Sequence, residues 1–161
     1  MANYEIKKIT KQKKKEQLVR TLIRELRAAD RRELAAGVAE SGSIENEVYD
    51  SIFLSEECFA AFDRSGLIAI WGYRELPWMA GRLIWCLGTD RIKENRYAFA
   101  VESKRILTEW AKKYSVLYNA VGAFNKDAIA WLKYCGAIFH KEITIGGEQF
   151  IPFTIESEGR K

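Results

Sequence analysis

One histidine, His140, stands in a chain of 161 residues. A zinc site built on two imidazoles and a histidine-rich iron site are therefore excluded. A serine nucleophile served by His140 lacks the Gly-x-Ser-x-Gly turn that would expose it, and a lone histidine on a strand reads as structural. Cys58, Cys86 and Cys135 are odd in number, widely spaced and set among apolar neighbours. They read as reduced core thiols, not as disulfides or metal ligands. What remains for chemistry is carboxylate, guanidinium, amide and phenol. Arg27, Asp30 and Glu33 fall near the end of the first long helical pattern, where they form a mixed-charge face of little energetic weight by themselves.

The net charge of +4 is unevenly placed, with the basic excess confined to residues 1–32 and acids in the majority beyond. Lys11 to Lys15 read as the solvated start of a helix. No aromatic side chain is interleaved with them, as a nucleic-acid contact would require, so nucleic acid is not the expected partner. The five tryptophans are too dispersed for a stacking platform, and Trp71, Trp85 and Trp110 fall on periodic core positions. No run approaches the ~20 apolar residues of a membrane span. With 48% hydrophobic residues the chain can bury one core, so a single domain over 1–161 is expected, with 156–161 as a flexible tail.

These side chains need a scaffold, and periodicity supplies one. Tyr4–Thr10 suits a short strand. Leu18, Leu22, Ile23, Leu26 and Ala29 recur at helical spacing towards Gly37, and Ser43 caps a second helix. From Cys58 the period changes to two: Cys58–Phe62, Leu67–Tyr73 and Arg82–Leu87 form an antiparallel meander. A helix follows Gly88-Thr89-Asp90 and runs to Tyr114. Leu117–Val121 is then a strand parallel to Arg82–Leu87, because a helix separates the two. Asn125 caps a helix closed by Gly136, and Ile138–Ile145 and Gln149–Ile155 are joined at Gly146-Gly147. The result is an α/β (α+β) mixed sheet in the order β-α-α-β-β-β-α-β-α-β-β.

That order resembles the GNAT acyltransferase layout. Asn125-Lys-Asp-Ala128 through Gly136-Ala137-Ile-Phe139 is similar to the superfamily's Asn-x-x-Ala…Gly-Phe pattern. A narrower resemblance is to the small internal virion proteins of T-seven-like short-tailed phages. It is carried by Tyr114–Ile155, including Trp131-Leu132-Lys133-Tyr134-Cys135-Gly136 and Gln149-Phe150-Ile151-Pro152-Phe153, and also by Leu26–Glu33 and Leu87-Gly88-Thr89-Asp90.

The two resemblances imply different functions. The phage likeness implies a non-catalytic internal virion or assembly component, with virion proteins as partners and the host cytoplasm and virion as its places. The superfamily likeness implies an N-acetyltransferase that uses acetyl-CoA or CoA and acts on a protein or small amine. Its donor site would comprise Leu87, Gly88, Thr89 and Asn125. Arg91, Lys93 and Arg96 would supply charge, because the usual glycines of the phosphate loop are missing from Asp90–Ala98. Arg27, Asp30 and Glu33 would lie on the acceptor side. The superfamily's acid is often a tyrosine seven residues after the asparagine; that position is Leu132 here, and Tyr134 is the nearby phenol, about 200° further round an ideal helix.

Overall fold

The computed structural model describes residues 4–157. Its sheet has the order β1-β2-β3-β4-β5-β8-β6, with β7 also paired to β8. The strands are β1 (Glu5–Lys8), β2 (Glu57–Asp63), β3 (Gly66–Arg74), β4 (Arg82–Gly88), β5 (Val116–Gly122), β6 (Ile138–Phe139), β7 (Ile143–Ile145) and β8 (Glu148–Glu156). The helices are α1 (Gln12–Glu25), α2 (Ala28–Ala36), α3 (Val38–Ser41), α4 (Ile44–Phe53), α5 (Arg96–Tyr114) and α6 (Lys126–Tyr134). Glu156, placed in the expected tail, is the last residue of β8, and 158–161 lie outside the described residues.

Alternation along the strands sends side chains to two helical layers. Leu67, Ile70 and Leu87 meet Leu18, Leu22, Val48 and Ile52 of α1 and α4 on one face. Ile68, Trp71 and Phe99 pack on the other, beside a cluster of Leu107, Leu117, Leu132 and Phe153 under α5 and α6. The meander is as expected: β2, β3 and β4 are antiparallel neighbours, and β4 runs parallel to β5.

Three elements differ from the periodicity. The first long helix is two helices, because Leu26 turns extended (ψ 134°) and bridges to Thr89, while the Arg27 N–H donates to the Gly88 carbonyl at 2.8 Å. Tertiary pairing thus outcompetes one more helical turn. A 3-10 helix over Asp90–Asn95 precedes α5. The strand expected over Ile138–Ile145 is two short pieces on β8. Gly136 takes the left-handed conformation its position demanded (φ 92°). Gly146 does so too (φ 55°), and a side chain there would run into the Ala36 backbone, so the β7–β8 hairpin lies directly against α2.

Thr89 anchors the exit from β4. It is fully buried, its hydroxyl donates to the Leu67 carbonyl at 2.7 Å, and its Oγ accepts from the Arg91 N–H. Thr89→Val keeps the shape but strips both bonds. We expect a loss of about 1–3 kcal/mol in urea unfolding; an unchanged midpoint would refute this anchoring role.

Candidate functional site

β4 and β5 are hydrogen-bonded neighbours only at their beginnings, Arg82 with Leu117 and Leu83 with Tyr118. Beyond that they diverge. β3 holds the other edge of β4 along its length and β8 holds the other edge of β5. The gap is bridged near its apex by Asn119, whose Nδ2 donates to the Ile84 carbonyl.

The sheet's alternation fixes which backbone groups enter this gap. The Thr89 N–H donates to Ile68, so odd-numbered residues of β4 bond β3, and Ile84, Cys86 and Gly88 present their N–H and C=O to the opening. The Ile84 carbonyl takes Asn119. Asp30 Oδ2 accepts the Gly88 N–H at 2.7 Å, and the Gly88 carbonyl takes Arg27. The N–H and C=O of Cys86 have no partner among the described residues.

α2 lies across the mouth of the gap, and the break at Leu26 is what aims it there. Asp30 and Glu33 are three residues apart and share one helix face. Asp30, only 5% exposed, binds β4; Glu33 Oε2 accepts the Gly122 N–H of β5 at 2.8 Å and Asn125 Nδ2 at 3.0 Å. Arg27 Nη2 donates to Asp30 Oδ1 at 3.2 Å and to Asn125 Oδ1 at 3.3 Å. The buried Asn125 also caps α6 by accepting the Ala128 N–H. Three residues of α2 and its start thus join the distant Asn125 in one network spanning both strands.

Burial pushes the carboxyls of Asp30 and Glu33 upward, against the lowering effect of Arg27 and of the N–H donors. The two differ in freedom. Both Asp30 oxygens are committed, one to Arg27 and one to Gly88, whereas Glu33 Oε1 has no hydrogen-bond partner among the described residues. Of this pair, Glu33 alone keeps acceptor capacity to spare.

The gap opens into a cavity of about 550 Å³ that passes through the sheet. On the α2–α4 side it is lined by Glu33, Glu40, Glu47 and Asp50, with Arg74 the one cation among the described residues. On the α5–α6 side it is apolar, walled by Trp71, Phe99, Ile106, Trp110 and Trp131. Cys86 sits on this second side, where burial pushes its thiol far above the ordinary range.

The structure brings Arg27, Asp30, Glu33, Gly88 and Asn125 together at the gap, whereas Leu87 and Thr89 turn towards β3, with Leu87 paired to Ile70 and the Thr89 hydroxyl on the Leu67 carbonyl. Tyr134 it places elsewhere: 46% exposed, outside the cavity wall, with the Lys104 ammonium 4.7 Å above its ring. Arg91 is turned away as well, its Nη1 bonded to Glu25 and to the Leu67 carbonyl. Lys93 is exposed on the 3-10 helix, and Arg96 lies over the Tyr97 ring. Sequence reasoning missed the open backbone of Cys86, whose only signal is strand parity. Among the described residues no cluster of three or more His, Cys, Asp or Glu side chains is placed to hold a metal. No helix among them is long and apolar enough to cross a membrane.

No protein-family model matches the chain, and no curated protein matches it in sequence. Solved structures do. The ribosomal-protein-S18-alanine N-acetyltransferase from Escherichia coli superimposes with a TM-score of 0.64 at 12% identity, covering 95% of this chain and 93% of that one. Spermidine N-acetyltransferase from Vibrio cholerae, in complex with CoA and spermine, gives 0.63 at 13% identity, with 96% of each chain covered. An IAA acetyltransferase from Bacillus cereus gives 0.61 at 14% identity, covering 95% and 99%. None of the three is described as a virion protein. With its parallel β4–β5 pair opening between flanking helices, the chain has the GNAT acetyltransferase fold.

Proposed function

We propose that this protein is an acyl-CoA-dependent N-acyltransferase acting on a small cationic amine. The observation that carries the reading is the cavity through the sheet, lined by Cys86 on β4 and by Glu33 on α2. Support also comes from the likeness to transferases, one of them solved with CoA and spermine.

Bound coenzyme would supply an activated acyl carbonyl as a thioester. The residues fit its acyl end: the Cys86 N–H is a preorganised donor for a carbonyl oxygen that gains negative charge as the amine attacks. They fit its phosphate end less closely, since Arg91 is paired with Glu25 and the loop has no glycine; Lys93, Arg96 and the start of α5 remain for the anion.

The acidic α2–α4 side attracts a protonated amine, and Glu33 takes the proton the ammonium must shed before its nitrogen can attack and releases it to solvent. A carbon–nitrogen bond forms, the carbon–sulfur bond breaks, and the second proton, lost as the amide forms, goes to the leaving sulfur. Asp30, bonded to Arg27, holds the Gly88 end of β4 and positions the strand.

Titration with acetyl-CoA in a thermal-shift assay tests the reading. Ligand at 100 times its dissociation constant should add ~2.7 kcal/mol of stability. No shift either at millimolar acetyl-CoA or with longer acyl-CoA thioesters would refute it. The same titration separates a second reading, the non-catalytic phage virion component, which draws on the resemblance over Tyr114–Ile155 and on the engagement of Arg91 by Glu25. That reading requires no coenzyme binding.

A further inference from the structure

The two halves of the cavity differ in chemistry, and the difference bears on what is transferred. We infer that the lobe beneath α5 is a pocket for an acyl group longer than acetyl, a medium-length chain on the order of eight carbons; the inference rests on the transferase reading. An apolar cavity of roughly 150 Å³ accepts a six-carbon ring, and the space here is about 550 Å³ in all. A second hollow of about 300 Å³ adjoins it, sharing Ile6, Trp71, Glu102, Ile106 and Trp110 and lined further by Arg105 and Glu109, so the apolar lining gives way to charge there and bounds the length of chain the lobe can take.

The lobe suits hydrocarbon better than the coenzyme's own arm. That arm carries two amides, and an amide buried without partners is strongly disfavoured. Polar atoms within the lobe are few. Ser103 Oγ is occupied by the Trp131 N–H at 2.6 Å and donates to the Ala100 carbonyl. The Cys86 thiol stays neutral. Glu102 is only partly buried. Trp71 Nε1 is buried without a partner among the described residues, in a side chain only 8% exposed. Trp71 stands directly across from Cys86 in the strand register. Its free donor therefore belongs to the end of the lobe where a thioester would lie, and beyond it Phe99 and Ile106 offer carbon alone.

The test is calorimetric binding of free CoA, acetyl-CoA, butyryl-CoA, hexanoyl-CoA and octanoyl-CoA to the intact protein. Each buried methylene is worth roughly a three- to fourfold gain in affinity. Octanoyl-CoA should bind at least about 30-fold tighter than acetyl-CoA even if some methylenes stay wet. Ile106→Trp, which fills the lobe, should bring the two within about threefold while leaving acetyl-CoA binding intact. Affinities independent of chain length in the wild-type protein would overturn the inference and leave the transferase reading standing. An undiminished octanoyl preference in a folded Ile106→Trp variant would overturn it too. If Ile106→Trp fails to fold, the wild-type chain-length series decides alone. Failure of every thioester to bind would refute the transferase reading, and the acyl pocket with it.

Discussion

Arg27→Met should cost about 3–5 kcal/mol of stability at neutral pH, measured by urea unfolding, because it strands a buried charge. The side chains of Arg27 and Asp30 are only 11% and 7% exposed, and the guanidinium bonds both Asp30 and Asn125. Without it the Asp30 carboxylate faces the Gly88 N–H as its one remaining donor. Burial already raises the Asp30 carboxyl, and losing the cation raises it further.

The sign of the pH dependence follows. A carboxyl whose folded value lies above its unfolded value binds protons more readily when folded, so stability is fullest below the unfolded value and falls as pH rises through the folded one. The deficit of Arg27→Met should therefore widen from acid towards neutral pH. Arg27→Met/Asp30→Asn should recover much of it, since Asn removes the charge and keeps an acceptor for Gly88. A loss under about 1 kcal/mol, or one independent of pH, would show that the pair is not the strut described.

The dependence of this network on tertiary placement explains what the sequence did and did not reveal. The meander, the crossover and the closing hairpin were legible because each rests on local signals: alternation from Cys58, the helical stripe after Thr89, the Asn125 cap, and Gly146-Gly147. The break at Leu26 was not. Its cause is a bridge to Thr89 and a bond to Gly88, more than sixty residues away, while the helical period runs unbroken through it. Arg27, Asp30 and Glu33 were therefore picked out as a group, but their clasp on Gly88 and Gly122 could not be read. Arg91 fails for the same reason. Its charge suggests an anion, but the fold places Glu25 against it, and that hydrogen bond holds the Glu25 carboxyl below the ordinary range. Backbone donors such as the Cys86 N–H carry no residue signature at all.

Glu33→Gln should lower kcat/KM by about 10²–10³ while raising thermal stability, and the opposition of these two effects is what distinguishes a proton acceptor from a structural residue. Gln keeps the oxygen that accepts from Gly122 and Asn125, so the geometry of α2 against β5 survives. What it loses is the ability to ionise. The Glu33 carboxyl is raised by burial, so in the wild-type protein its ionisation costs stability as pH rises through the folded value. Glu33→Gln is relieved of that cost, and its advantage in melting temperature should grow with pH. The same titration should appear in the wild-type rate profile as an acid limb above the usual carboxylate range, and the variant's residual activity should lack that limb. Asp30→Asn gives the contrast: Asp30 has no free oxygen, so its removal should act on β4 and stability without deleting the limb. A Glu33→Gln variant with wild-type kcat/KM, or one whose rate and stability fall together, would remove Glu33 from the chemistry and leave it as a clasp between α2 and β5.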